Sequence, residues 1–223
     1  MEQEKEVVKT RVNYVKILIV LLILYIIGFN IYKLVISPIN NIYITNNTYL
    51  TDQEIIDSSG IRNYPSFILT TKHNIKKKLL KNEMIKDVKI SKRLGRIVEI
   101  KVEENIPLFI YDNKTILSSG NAVENIKYEL PTLTGNMELE ILNKLTEKYQ
   151  NVDEEIRYMI SEIKYDPNNI DKERFLITMN DGNYVYITLY KITSINEYIK
   201  ILSTLNGKKG TLYLDSGNYF ESF

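Results

Sequence analysis

Between Ile17 and Ile36 the chain reads ILIVLLILYIIGFNIYKLVI. From Ile17 through Leu24 to Phe29 there is no charge, and the Tyr25 hydroxyl is the one polar side-chain group. At about 1.5 Å per residue, this stretch makes a helix of about 30 Å, the thickness of a bilayer's hydrocarbon core. A buried helix of a soluble protein would rarely be this apolar all round. The reading is one transmembrane helix over Ile17–Ile36, with Lys33 near one end where its stem can snorkel to the interface. A cleaved signal peptide is the alternative. Its apolar region would be too long, and no small-residue cleavage site follows.

Flanking charge orients the span. Lys5, Lys9, Arg11 and Lys16 precede it, and after Lys33 no Lys or Arg appears before Arg62. The positive-inside rule makes residues 1–16 a cytoplasmic tail and puts residues 37–223 outside a plasma membrane. Function is expected in that outer part.

Several chemistries are then excluded. The chain has no cysteine, so it has no disulfide, thiolate zinc site or cysteine nucleophile. His73 is the single histidine and cannot make a two-histidine metal site. No phosphate-binding glycine loop and no Gly-x-Ser-x-Gly turn occurs. Carboxylates such as Glu103–Glu104 and Asp153–Glu155 sit in solvated-looking runs, not in the apolar setting that a general acid needs. The expectation is no catalytic residue, no cofactor, no metal, no small-molecule substrate and no nucleic acid. Charge divides the outer part. Residues 62–101 carry a net +9 and residues 102–223 a net −7, which puts a domain boundary near 104.

In residues 37–104, Ile39–Thr45 alternates as a strand. Thr51 with Glu54 forms a capping box, Leu50 with Ile55 a staple, and Gly60 a C-terminal stop, predicting a helix over Thr51–Ser59. Lys72–Lys81 reads as a second helix burying Ile75 and Leu79. Strands follow at Asp87–Ser91 and Ile97–Glu103, joined by an Arg93–Arg96 turn. In residues 105–223, Leu108–Tyr111 and Thr115–Leu117 form a hairpin. Leu130–Leu133 is extended, and Met137–Tyr149 is a helix. Asn151 is expected to cap another helix with Ile156 and Ile160 inward. Arg174–Met179 and Asn183–Tyr190 pair through Asp181-Gly182. Ser194 with Glu197 opens a helix burying Ile195, Ile199 and Leu202, and Thr211–Leu214 is the last strand. The fold class is therefore α+β: a single N-terminal transmembrane helix, a βααββ domain, and a mixed β-rich domain with flanking helices.

Two surfaces stay open. The lysines of 72–81 are either a solvated face or a contact for anionic lipid or an acidic partner. Tyr184, Tyr186 and Tyr190 oppose Val185, Ile187 and Leu189, as a central strand covered on both sides or as an aromatic contact surface.

This order of parts resembles the FtsQ/DivIB family of bacterial cell-division proteins. Asn46–Ile61 (NNTYLTDQEIIDSSGI) resembles the opening of that family's POTRA domain, and Ile85–Pro107 its closing hairpin. Leu130–Gly135 (LPTLTG) and Tyr213–Phe220 (YLDSGNYF) resemble parts of its β domain. Gly95 stands where the family often has a turn proline. The resemblance implies a non-enzymatic divisome scaffold, anchored at the septum. It would bind FtsB/DivIC-like and FtsL-like single-span coiled-coil proteins and support septal peptidoglycan synthases indirectly. Partner binding would fall on Tyr213, Leu214, Asp215, Ser216, Gly217, Tyr219 and Phe220. A strand there, flanked by glycines, fits a sheet edge to which a partner strand can add, unless its own domain closes it. An extracytoplasmic wall enzyme and a POTRA-bearing export or assembly component are the other readings.

Overall fold

The computed structural model describes residues 13–124 and 128–223. Lys5, Lys9 and Arg11, on which the orientation depends, lie outside the described residues.

The apolar stretch is one helix, α1 (Tyr14–Ile36). Asn13 begins it, its Oδ1 accepting from the Lys16 N–H. No side chain of the span is buried within the protein, so its apolar surface faces its surroundings on every side. Asn30 satisfies its amide internally, donating to the Ile26 carbonyl at 2.8 Å. Lys33 does not reach toward the nearer helix end. Helical side chains tilt toward the N-terminus, and its ammonium lies 4.7 Å from the Phe29 ring centroid, one turn back.

Two compact units make up the chain. The first contains α1, β1 (Asn41–Thr45), α2 (Asp52–Ser59), α3 (Lys72–Leu79) and the tip-side half of a long hairpin, β2 (Ile85–Arg93) and β3 (Ile97–Glu104). The sheet order is β1-β3-β2, with β1 parallel to β3 and Ile44 opposite Ile100. The capping and periodicity signals hold to within two residues. Gly60 stops α2 at φ 73°, and Ile55, Ile75, Leu79, Val98 and Ile100 are buried.

The second unit is built on one mixed sheet. Its strands are β4 (Pro107–Tyr111), β5 (Lys114–Leu117), β6 (Ala122–Val123), β7 (Thr132–Thr134), β8 (Ile160–Tyr165), β9 (Arg174–Met179), β10 (Tyr184–Thr188), β11 (Gly210–Tyr213) and β12 (Tyr219–Ser222). They lie in the order β12-β11-β10-β9-β8-β7-β4-β5-β6. The core cluster includes Phe109, Ile163, Phe175, Ile177, Val185 and Ile187 from the strands. Leu145 and Tyr149 join it from α4 (Leu139–Tyr149), and Ile156 from α5 (Glu154–Tyr158). Asp112 and Asn113 both have positive φ, as a two-residue hairpin turn matched to strand twist requires. Glu103–Glu104 is not simply solvated. The Glu104 carboxylate accepts the N–H groups of Thr48, Tyr49 and Leu50 at 2.6–2.9 Å.

Three expectations fail here. Asn151 caps no following helix. Its amide donates back to the Glu147 and Lys148 carbonyls, finishing α4 instead, and α5 begins only after Asp153. Ile160 is inward but on β8, because α5 stops at Tyr158. The Ser194–Glu197 box does not open a helix either. Residues Leu189–Glu197 form a 3₁₀ helix that leads directly into α6 (Tyr198–Thr204). Three residues per turn puts Leu189, Ile192, Ile195 and Tyr198 on one buried line, while Ile199 is 39 % exposed.

Candidate functional site

The chain's last segment differs from its expected form. The strand at 211–214 is not the sheet's edge: β11 lies between β10, to which it is parallel, and β12, to which it is antiparallel. The edge is β12, which pairs with β11 alone among the described strands.

Gly210 makes that pairing possible. A Cβ there would stand 2.0 Å from the Glu221 carbonyl oxygen and 2.8 Å from the Phe220 ring, so any other residue pushes β12 away. The Gly210 N–H donates to Asn183 Oδ1 at 2.9 Å. Asn183 is buried; its amide donates to the Tyr198 hydroxyl, and that hydroxyl donates to Asp181. The β9–β10 turn, α6 and the start of β11 are thus held by one polar network. Burial, with Asp181 as acceptor, pushes the Tyr198 phenol up from its ordinary pKa.

On the outer face, register brings aromatic rings together. Tyr186 on β10 stands opposite Tyr213 on β11, which stands opposite Tyr219 on β12. Their ring centroids are 5.4 and 4.6 Å apart, both pairs stacked. The Arg174 guanidinium covers the inner end of this ladder, 3.6 Å from the Tyr186 centroid. Arg174 also donates to Asp215 at 2.8 Å and to Asp166 at 2.7 Å. Burial alone would raise the Asp215 carboxyl. The hydrogen bonds from Arg174 and Ser216 outweigh it and hold the group below the usual carboxylate range.

A groove also runs beside β12, lined by apolar Ile201, Leu205, Leu212, Leu214 and Phe220 together with polar Ser194, Glu197, Thr204 and Asn218. Edge and groove together offer main-chain hydrogen bonds and apolar anchor sites side by side, which is what strand addition uses.

The seven sequence-derived residues occupy different settings. Tyr219 is half exposed on the edge, and Phe220 is half-buried against the core. Tyr213 is the middle ring of the ladder. Leu214 is buried, and its N–H donates to the Tyr186 carbonyl. Asp215 is engaged with Arg174, while Ser216 and Gly217 lie in the connection to β12. The aromatic stripe is only partly as read: β10 ends at Thr188, and Tyr190 stands apart at 83 % exposure. Val185 and Ile187 face the core, whereas Tyr184 and Tyr186 face outward. Sequence reasoning missed Arg174, Asp166, Ile201 and Leu205. No local pattern marks them; Arg174 and Asp215 are 41 positions apart.

The architecture defines a class: a single apolar helix long enough to span a membrane, then a POTRA-type βααββ fold, then a β-rich domain. Residues 37–105 match the POTRA domain, FtsQ-type. The chain is 28 % identical to cell division protein DivIB of Bacillus anthracis, over 98 % of this chain and 86 % of that protein. It is 29 % identical to the DivIB of Bacillus cereus over 82 % of this chain and 76 % of the relative. Bacillus subtilis DivIB shares 27 % identity over 84 % of this chain and 75 % of the relative. The structure of the major extracytoplasmic domain of the trans isomer of DivIB from Geobacillus stearothermophilus is similar at 23 % identity. It covers 47 % of this chain and 96 % of the solved one, with a TM-score of 0.40. The chain is thus similar, over its POTRA domain and along most of its length, to the DivIB proteins of bacterial cell division.

Proposed function

We propose that this protein is a non-enzymatic scaffold of the divisome. Its tail is cytoplasmic, Ile17–Ile36 crosses the plasma membrane once, and residues 37–104 and 105–223 act outside as a POTRA-like and a β domain at the septum. It binds FtsB/DivIC-like and FtsL-like single-span proteins and so supports septal peptidoglycan synthesis. The partner surface is the β12 edge with Tyr219 and Phe220, backed by Tyr213 and Leu214 and set in position by Asp215, Ser216 and Gly217.

The observation that carries this reading is the outer edge of β12, which no other described strand pairs, beside the groove that holds Ile201, Leu205 and Phe220. A partner segment that adds a strand there gains a row of main-chain bonds, and an apolar side chain next to that strand fills the groove. The test uses the full chain in nanodiscs and the outer segments of the two partners. Truncation after Asn218 removes β12 and leaves β11. The expected result is a loss of affinity of about tenfold or more, with the rest of the sheet still folded, as shown by a cooperative thermal transition. Undiminished affinity would move the site elsewhere on the scaffold. Septa of ordinary appearance after depletion of the protein would defeat the division role.

A further inference from the structure

The lower end of the first unit carries a second unusual surface. The end of α1 is tied to the loop before α3 by several bonds. Ser66 Oγ donates to the Val35 carbonyl, the Phe67 N–H to Ser37 at 2.9 Å, and the Ile39 N–H to Pro65 at 2.9 Å. These anchors lie within three residues of Ile36, so they hold residues 65–70 at the level where the helix leaves the hydrocarbon. The tip of the β2–β3 hairpin reaches the same level: Leu34 in the last helical turn, Phe67–Ile68 and the tip residues Lys92–Arg96 line one groove.

The side chains presented there suit a bilayer surface and not water. Leu94 is 97 % exposed, Leu69 66 % and Ile68 43 %. Positive φ at Gly95 (81°) and Arg96 (61°) makes the tip tight and projects Leu94 from it. Arg93 and Arg96 flank Leu94 and are exposed, with Glu99 as a partner of Arg93. Lys92 bridges the tip to the loop, donating to the Phe67 and Thr70 carbonyls over the Phe67 ring. Apolar side chains beside two exposed arginines, placed at the mouth of an apolar span, match the boundary between acyl chains and phosphates. Guanidinium groups bind phosphate oxygens bidentately.

We infer that loop 65–70 and the hairpin tip 93–96 form a lipid-binding collar that seats the first unit on the bilayer its own helix crosses, with Leu94, Ile68 and Leu69 entering the interface and Arg93 and Arg96 holding anionic phospholipid headgroups. The inference rests on α1 spanning a membrane. It concerns a different surface from the partner edge and needs no partner.

The chain contains no tryptophan, so a single introduced indole reports its own surroundings. The full chain carrying Leu94→Trp is placed in nanodiscs of brominated phosphatidylglycerol or brominated phosphatidylcholine. Leu24→Trp serves as the span control and Asp57→Trp on α2 as the solvent control. The expected result for Leu94→Trp is blue-shifted emission, quenched about twofold or more, as for a side chain inserted into the interface. Quenching should be stronger in phosphatidylglycerol, and adding Arg93→Gln and Arg96→Gln should remove that preference. Hydrated, unquenched emission at position 94 with position 24 quenched would overturn the collar and leave the span intact. Equal quenching in both lipids would overturn the headgroup preference. An unquenched indole at position 24 would overturn the spanning reading, and the collar with it.

Discussion

Two hairpins of this protein put apolar side chains at the surface, and they do so by opposite means. At the β2–β3 tip, Leu94 projects from a tight turn, with no ring stacked on it and the exposed arginines beside it. At the β11–β12 hairpin, Tyr219 is stacked on Tyr213, Tyr213 on Tyr186, and Tyr186 under Arg174. The first surface has shape only where the backbone fixes it, which suffices for a fluid partner such as a lipid surface. The second is fixed side chain by side chain, and preorganisation of that kind lowers the entropy lost on binding a structured partner. Exposed apolar area therefore has to be judged with what holds it.

Substitutions can break this contrast. The largest effect is expected at Gly210→Val, because its side chain collides with backbone of β12. Urea denaturation should show a loss of about 3 kcal/mol, or a locally detached β12 seen as fast amide exchange at residues 219–222. Unchanged stability and exchange would mean that β12 does not depend on this close approach.

Arg174→Ala comes next. It uncovers the ladder and leaves two carboxylates without their cation, where side-chain exposure is only 13 % at Arg174 and 10 % at Asp215. The expected cost is about 2 kcal/mol, since the site is largely desolvated but Asp166 remains partly wet. The pair also gives a pH dependence. The Asp215 pKa is lower in the folded protein than in the unfolded chain, so its contribution is complete above about pH 4 and is lost as pH falls through the folded value. The Asp215→Asn variant should therefore show a shallower fall in stability on acidification than the parent. Parallel curves would refute the role given to Asp215.

Tyr213→Ala sharpens the comparison within the ladder. It removes the ring that both neighbours stack on, and about 1 kcal/mol should be lost by thermal denaturation. Double-mutant cycles with Tyr186→Ala and Tyr219→Ala should show coupling. Strict additivity would mean that the rings are neighbours without interaction. The smallest effect is expected at Leu94→Ser. Stability of the protein in detergent should change by less than about 0.5 kcal/mol, because nothing in the fold packs on that side chain. A larger loss would make the tip a structural element and erase the contrast between the two hairpins.

What was legible in the sequence was local. The span follows from about twenty apolar residues, and α2 from a capping box and a stop glycine within ten residues. The β4–β5 hairpin follows from Asp112-Asn113-Lys114 between two apolar runs, although Lys114 itself belongs to β5. Each signal acts within a few bonds, so neighbours in sequence are enough to express it. The errors have one origin as well. The apolar residues from Leu189 onward suit an α or a 3₁₀ period about equally, and the 3₁₀ form is the one in which Leu189, Ile192 and Ile195 are all buried in the core. Ile160 fits a helix end as well as a strand, and the ladder with β9, where it stands opposite Met179, made it a strand.

The sequence by itself determined that this chain has an apolar span, a βααββ unit, a β-rich unit, and no cysteine chemistry. Those properties depend on residue type and short-range period. Only the tertiary structure decided that β11 is interior and β12 is the edge, that three tyrosines from three strands form one stack, and that Arg174 holds Asp215. These depend on register between segments tens of residues apart, and register is set by burial of the whole core and not by any local pattern.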